Sequence, residues 1–355
     1  MENDTLSTSV PLSEQTSPLS GRTIGLVVLS LAFILGFPGN AFVIWSAACL
    51  VRKHTVTSLL ILHLAVADGA TLLTAPFFLR LLSIGQWEFG LFICQMCYYI
   101  CGVCMYASVY LIVLMSLDRC LAVSKPFLSQ NIRTKVVARS LVLVIWLLSF
   151  LLAIPVIFYR RLENYSGRFI CKLSHDNQQH LVFHKLFEIL TGCILPFFII
   201  ICCYIVIGHR LKETRFRRKR RTSRLITVIV VAFAVFWLPY HFVNILEVVG
   251  KLSGLKSVTQ AGGKAQPTLI ALAFFSSSIN PILYTFTGSS LLKAAGVGFM
   301  AKLFDGTSSE IPSLRQGTGR STQQREEVEM KVVRNENDEN IAPTGLSVET
   351  TLDGC

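Results

Sequence analysis

Seven stretches of the chain stay apolar for long enough to cross roughly 30 Å of hydrocarbon. They run from Gly25 to Leu50, Val56 to Leu82, Phe92 to Val123, Val136 to Tyr159, Phe187 to Gly208, Leu225 to Val249 and Thr268 to Thr287. Period-two alternation is absent, and each run is about twice as long as a barrel strand needs, so helices that close their hydrogen bonds within the segment are expected. The predicted fold is an all-α membrane protein, a bundle of seven transmembrane helices with no internal repeat. Composition agrees: 52% of the residues are hydrophobic, 15% are charged and the mean hydropathy is +0.56, too apolar for a soluble domain of this length.

The polar positions between the spans set the orientation. Residues 1–22 are rich in Ser and Thr and lack a basic stretch followed by a short apolar core, so no cleavable signal is expected and the first span directs insertion. Glu2, Asp4 and Glu14 precede that span and Arg52, Lys53 and His54 follow it; Lys125, Arg133, Lys135, Arg139 and the dense run from Arg210 to Arg224 fall on the same side as the latter. An excess of Lys and Arg in short loops marks the cytoplasm. The expected arrangement is an extracellular tail over 1–22, a membrane domain over 23–304 and a cytoplasmic tail over 305–355. Glycosylation sequons at Asn3 and Asn164 both fall on the outer side.

Within the spans, polar residues are few. Asp68 lies about halfway through the second, and an acid there must face the bundle interior and find partners. Ser108, Ser276, Ser277 and Asn280 are the available groups. The set could hold a hydrated sodium ion, share a proton or simply join helices by hydrogen bonds. Asp118-Arg119 closes the third span, where an arginine either snorkels to the interface or serves a site. Pro196, Pro239 and Pro281 interrupt the fifth, sixth and seventh spans beside Tyr204, Trp237 and Asn280, which suggests a bundle with two accessible packings.

Cys94, Cys97, Cys101 and Cys104 have the spacing of paired metal ligands, yet steps of three and four place them along one helix face, where small apolar packing is the simpler role. Cys94 opens the third span at the outer surface, and Cys171 lies in the outer loop after the fourth. A disulfide between them fits that oxidising side and would tie the loop over the mouth of the bundle.

Asn40, the run Leu64 to Asp68, Asp118-Arg119, Trp146, Pro196, Trp237-Leu238-Pro239 and Asn280-Pro281 with Tyr284, one group per span and in this order, resemble the rhodopsin-class G-protein-coupled receptors over about residues 23–304. The resemblance implies a plasma-membrane receptor in which Trp237 senses ligand while Arg119, Tyr204 and Tyr284 rearrange to admit a G protein. Cys120 stands where the family usually has Tyr. Lys219 stands near the place where some members carry an acid that clasps the arginine, so Arg119 is expected to rest on Asp118 or on hydroxyls such as Thr222. Cys101 replaces the acid of amine receptors, and Phe274 the lysine of light receptors.

The outer surface points to an anion. From Arg160 to Lys185, five cations (Arg160, Arg161, Arg168, Lys172, Lys185) face two acids (Glu163, Asp176), and Lys251, Lys256 and Lys264 follow before the seventh span. A uniformly basic protein would show the same excess. Candidate pocket residues are Tyr98, Tyr106, Arg160, Glu188, His241 and Asn244, set among Phe77, Phe78, Met105, Phe183 and Phe242. One guanidinium at the end of the fourth span, with hydroxyl, amide and carboxylate groups below it, suits a hydroxylated fatty acid or a short acidic or formylated peptide.

Longer stretches, among them Thr74 to Phe78, Met105 to Val109, Pro239-Tyr240-His241, Ile270 to Phe274 and Ala295 to Phe299, resemble the leukotriene B4 receptors, most closely their high-affinity subtype. This implies a dihydroxy eicosanoid ligand, inhibitory G proteins and leukocyte chemotaxis in inflammation. The pocket pattern of that family carries onto Tyr106, Arg160 and Glu188. It departs at Gln266, where an arginine is expected, and at Tyr98, where a histidine is expected; Lys264 is the candidate to supply the missing charge.

Arg215 to Arg221 holds six basic residues and one Phe. Between two spans, such a run is expected to meet anionic lipid and the G protein rather than nucleic acid. The stretch from Leu291 to Phe304 is expected to form an amphipathic helix on the membrane. The tail is expected to be disordered, phosphorylated by receptor kinases and read by arrestin. Only Asp68 and Glu188 are read as charges within the spans, which disfavours an ion path. No nucleophile–base pair or resident metal set is laid out, so neither an enzyme nor a cofactor other than a sodium ion is expected.

Overall fold

The computed structural model describes residues 17–49, 55–213 and 217–287. The amphipathic helix and the tail expected after Thr287, as well as Asn3, lie outside them. The first span is α1 (Ser17–Cys49), and the second divides into α2 (Val56–Leu73) and α3 (Ala75–Ile84). The third is α4 (Gly90–Ser124), followed by the short α5 (Pro126–Ile132) and the fourth span, α6 (Lys135–Tyr159). A hairpin of β1 (Arg160–Tyr165) and β2 (Arg168–Leu173) leads into the fifth span, made of α7 (Gln178–Ile189), a π-turn (Leu190–Ile194) and α8 (Leu195–Glu213). The sixth and seventh spans are α9 (Arg217–Leu252) and α10 (Lys256–Thr287). Six of these spans have the length and apolarity to cross a membrane; in the seventh the apolar part is the shorter Thr268–Leu283.

Several boundaries differ from the hydrophobic windows. The second span breaks at Thr74, because Pro76 begins a new helix and cannot donate to the old one. Thr74 turns its hydroxyl back onto the Thr71 carbonyl at 2.7 Å instead. The fifth and seventh spans begin at Gln178 and Lys256, well before their apolar windows. Hydropathy marks only the lipid-facing length, whereas their outer turns carry polar residues.

The π-turn has a similar cause. Its wider register pairs the Leu195 N–H with the Leu190 carbonyl, so the Thr191 carbonyl would need the missing N–H of Pro196. The Tyr110 hydroxyl donates to it at 2.9 Å, joining the third and fifth spans.

The third span is the axis of the bundle. It packs on α2, α6, α8 and α9 and on the hairpin, and Val109, Leu111, Ile112 and Met115 are fully enclosed. The first and seventh spans approach closely at Gly36, where a Cβ would lie 2.5 Å from the Ser278 Cβ and 2.7 Å from the Leu72 side chain, so only glycine fits. The outward faces carry Leu143, Leu151, Phe158, Phe198 and Val235, an apolar coat suited to lipid.

The hairpin turns at Ser166-Gly167, both with positive φ, which matches the twist of the flanking strands. Asn164 is exposed there, and its Oδ1 accepts the Gly167 N–H at 2.9 Å. Cys171 of β2 is joined to Cys94 by a disulfide, as expected, with Cα atoms 5.9 Å apart.

Candidate functional site

Beneath the hairpin lies a cavity of about 460 Å³ that reaches from Lys172 and Gln266 at the mouth to Trp237, Ser108 and Asp68 at the floor. Arg160 sits at its upper rim because the fourth helix ends there and the chain turns into β1. The Arg160 carbonyl accepts from Gln95 Nε2 at 3.3 Å, which holds the corner against the third span. Its guanidinium lies 3.5 Å above the centre of the Tyr98 ring, and Tyr98 packs edge-on against Phe78 at 5.0 Å. The Arg160 Nε is buried with no hydrogen-bond partner among the described residues. A buried cationic donor in that state favours an anionic acceptor from outside. Tyr98, where the family pattern led us to expect His, therefore supports the arginine through its ring face.

Lower down, the Tyr106 hydroxyl meets Thr191 Oγ1 at 3.1 Å. Glu188 lines the cavity and accepts from Asn244 Nδ2 at 3.5 Å, and the same amide accepts from Lys185 Nζ at 2.8 Å. Gln266 lines the cavity as well. Asn244 and His241 are buried one layer behind its wall; His241 packs on Trp237 with ring centres 6.3 Å apart. Lys264 falls on α10, but its side chain is outside the described residues. Of the five apolar candidates, Phe78 and Met105 line the cavity, whereas Phe77 packs edge-on against Phe89. Phe183 and Phe242 correct the expectation, being 66% and 60% exposed on the outer faces of their helices, where apolar surface suits lipid.

Sequence reading also missed Lys185 and Glu247. Its place in the sequence puts Lys185 among the outer cations, yet it is 1% exposed and pairs with Glu247 at 3.2 Å inside the bundle. The signal was present: Glu247 falls within the sixth apolar window, and an acid there calls for a cation. Contrary to expectation, Asp68 and Glu188 are therefore not alone among the charges within the spans: Lys185 joins them because the fifth helix starts earlier than its apolar window, and Glu247 lies inside the sixth.

At the floor, Asp68 Oδ2 accepts from Asn280 Nδ2 at 2.7 Å, with Ser277 beside it and Ser108 and Ser276 buried on the same cavity. Asn40 Nδ2 donates to the Ser277 carbonyl at 3.0 Å, so the first, second and seventh spans meet here. Trp237 stacks on Phe233 at 5.6 Å, two residues before Pro239. Pro281 is buried against Gly39.

At the inner end, Arg119 Nε donates to Asp118 at 3.0 Å, and Arg133 Nε reaches the same carboxylate at 2.8 Å. Both guanidinium groups donate to Thr57 Oγ1 at 3.0 Å. The hydroxyl beside Arg119 is therefore Thr57; Thr222 lies on a turn whose side chains are outside the described residues. Tyr204 is half-buried against the core, and Tyr284 falls on α10 with its side chain likewise undescribed.

Beside the mouth, in the segment between the hairpin and α7, His175 Nε2 lies 3.0 Å from His184 Nδ1 and its ring packs on Tyr159 at 4.4 Å. Burial, followed by the charges of His184, Lys185, His180 and Arg160, pushes the His175 pKa down from 6.5 to about 4. An unfolded chain would take up this proton near pH 6.5 and the folded one only near 4. The folded state therefore has its full advantage above pH 6.5 and loses it as the pH falls toward 4. The melting temperature of the detergent-solubilised protein is expected to be lower at pH 5 than at pH 7.5, and His175→Gln to shrink that difference; an unchanged difference would show that other groups set it.

Seven helical spans around a central third, a disulfide-tied outer hairpin, a deep amphipathic cavity and an arginine held at the inner end define a heptahelical receptor. The chain belongs to the 7 transmembrane receptor (rhodopsin family), whose model matches residues 39–284. It is a multi-pass membrane protein, a G-protein-coupled receptor and not an enzyme. Leukotriene B4 receptor 1 of Homo sapiens is 50% identical over 299 residues, covering 83% of this chain and 85% of that protein. Leukotriene B4 receptor 2 of Homo sapiens is 43% identical over 297 residues, covering 81% and 82%. The C3a anaphylatoxin chemotactic receptor of Oncorhynchus mykiss is 32% identical over 319 residues, covering 86% and 85%. The resemblance to the leukotriene B4 receptors seen in the sequence is borne out.

Proposed function

We propose that this receptor binds leukotriene B4 or a closely related hydroxylated fatty acid from the outer side, with its N-terminus extracellular. In this reading the carboxylate meets Arg160 at the rim and the hydrocarbon chain descends along Tyr98, Met105 and Tyr106 toward Trp237. The observation that carries it is the Arg160 guanidinium, stacked on Tyr98 with a buried, unpartnered Nε, above a largely apolar cavity. The cavity volume of about 460 Å³ falls within the roughly 300–1,000 Å³ typical of small-molecule sites. The names of the two relatives at 50% and 43% identity support the lipid over a peptide.

Downstream, the same reading has Trp237 and the Pro239 and Pro281 segments pass the occupied state inward. Arg119 then leaves the Asp118, Arg133 and Thr57 cluster to meet an inhibitory G protein, in the service of leukocyte chemotaxis. Asp68 with Ser108, Ser276, Ser277 and Asn280 would hold a sodium ion in the resting state, and the cytoplasmic tail would take kinases and arrestin.

The test is nucleotide exchange on an inhibitory heterotrimer in membranes containing the full chain, with and without nanomolar leukotriene B4. A ligand-dependent rise is expected; no rise from folded receptor at the membrane would overturn the assignment.

A further inference from the structure

Lys185 is a fully buried ammonium with more donors than partners. An ammonium carries three N–H groups, and among the described residues two acceptors face it, Asn244 Oδ1 at 2.8 Å and Glu247 Oε2 at 3.2 Å. The residue lines the cavity, so the third donor is available to whatever occupies it. Glu188 is one helical turn further along α7, on the same face, and lines the same cavity. Its contact with the Asn244 amide is stretched to 3.5 Å and its other hydrogen-bonding neighbour is the Tyr240 hydroxyl on the same cavity; a carboxylate offers about four lone-pair sites, so acceptor capacity remains open toward a ligand. One amide from behind the wall thus holds a donor and an acceptor side by side.

Such a pair matches neither a carboxylate nor a hydrocarbon. A carboxylate would be repelled by Glu188, and the Lys185 charge is already balanced by Glu247. An alcohol satisfies both members at once, because its oxygen accepts while its O–H donates. We propose that Lys185 and Glu188 form a hydroxyl-reading pair: the Lys185 ammonium donates to a secondary alcohol of the ligand, and that alcohol donates to the Glu188 carboxylate. This rests on the acid-ligand reading above and adds the residue, Lys185, that selects a hydroxylated fatty acid over its deoxy counterpart.

The test is competition binding to membranes holding the full chain, with leukotriene B4 and the two analogues that each lack one hydroxyl. Wild-type receptor is expected to discriminate against one analogue by about tenfold to hundredfold, the penalty for leaving a buried donor and acceptor unmatched. Lys185→Met combined with Glu247→Gln removes the ammonium together with its counter-charge, so no buried ion is stranded. In that variant the two ligands should differ by less than about threefold, through weaker binding of the dihydroxy acid alone. Glu188→Gln reads the acceptor half without touching the ion pair, and its ratio should fall as well, which keeps the test decisive if the double variant does not fold. A wild-type ratio that persists in both variants, or a wild-type receptor that binds the acids without preferring the hydroxyl, overturns the role of Lys185 and leaves the acid-ligand reading standing. Folded wild-type receptor that binds none of the three overturns both.

Discussion

Arg160→Ala should weaken leukotriene B4 by about a hundredfold or more, read as a rightward shift of the concentration–response curve for nucleotide exchange or as lost competition binding. The size follows from the site. The guanidinium sits on the Tyr98 ring with its Nε away from water and from every acceptor among the described residues. A carboxylate placed there would gain charge-assisted hydrogen bonds in surroundings that screen them little. Truncation would also remove the packing of the arginine stem and of Tyr98 beneath it. Arg160→Lys should recover only part of the loss, because an ammonium offers neither the planar fork nor the same stacking on the ring. A curve that stays in place in the alanine variant would move the carboxylate elsewhere, with Lys172 at the mouth as the next cation to replace.

Breaking the outer disulfide should have the second large effect. Cys171→Ser with Cys94→Ser is expected to lower stability by about 2–5 kcal/mol and to cut ligand affinity at least tenfold. The bond closes a loop between positions 77 residues apart, and Cys171 stands opposite Leu162 in the hairpin that begins at Arg160. Releasing β2 from the third span would loosen the strand that carries the arginine, so the thermal and the binding defects have one origin. Melting of the detergent-solubilised variant, beside competition binding on intact membranes, measures both. A variant that melts early yet binds normally would show that the Gln95 contacts to the fourth span suffice to place Arg160.

Much of this architecture is legible in the chain because lipid leaves the backbone few options. An apolar run of sufficient length must be a helix, and the distribution of Lys and Arg supplies an expected orientation. The one-per-span motifs, among them Asp118-Arg119, Trp237-Leu238-Pro239 and Asn280-Pro281, carry the receptor class in the sequence itself. The disulfide was legible as well, since two outer cysteines in an oxidising space had few other uses.

The pocket was legible only in part. Arg160, Tyr98, Tyr106, Glu188 and Gln266 do converge on one cavity, whereas His241 and Asn244 stand behind its wall and Phe183 and Phe242 face outward. Hydropathy treats all sides of a helix alike, and a helix near a cavity has three environments: lipid, neighbouring helix and ligand space. Phe183 and Lys185 are two residues apart and therefore point in different directions, one to lipid and one inward.

The amino-acid pattern alone therefore determined the number of spans, their helical nature, the family and the cation at the end of the fourth span, because each depends on local composition or on a residue type at a fixed place. Tertiary structure decided which charges share a cavity. The burial of Lys185 against Glu247, the bridging of Glu188 by Asn244, the choice of Thr57 as the hydroxyl beside Arg119 and the Tyr110 bond to the π-turn all join residues from different spans. Such pairings depend on the rotation of each helix about its own axis, which is settled by packing against its neighbours and leaves no local trace in the chain.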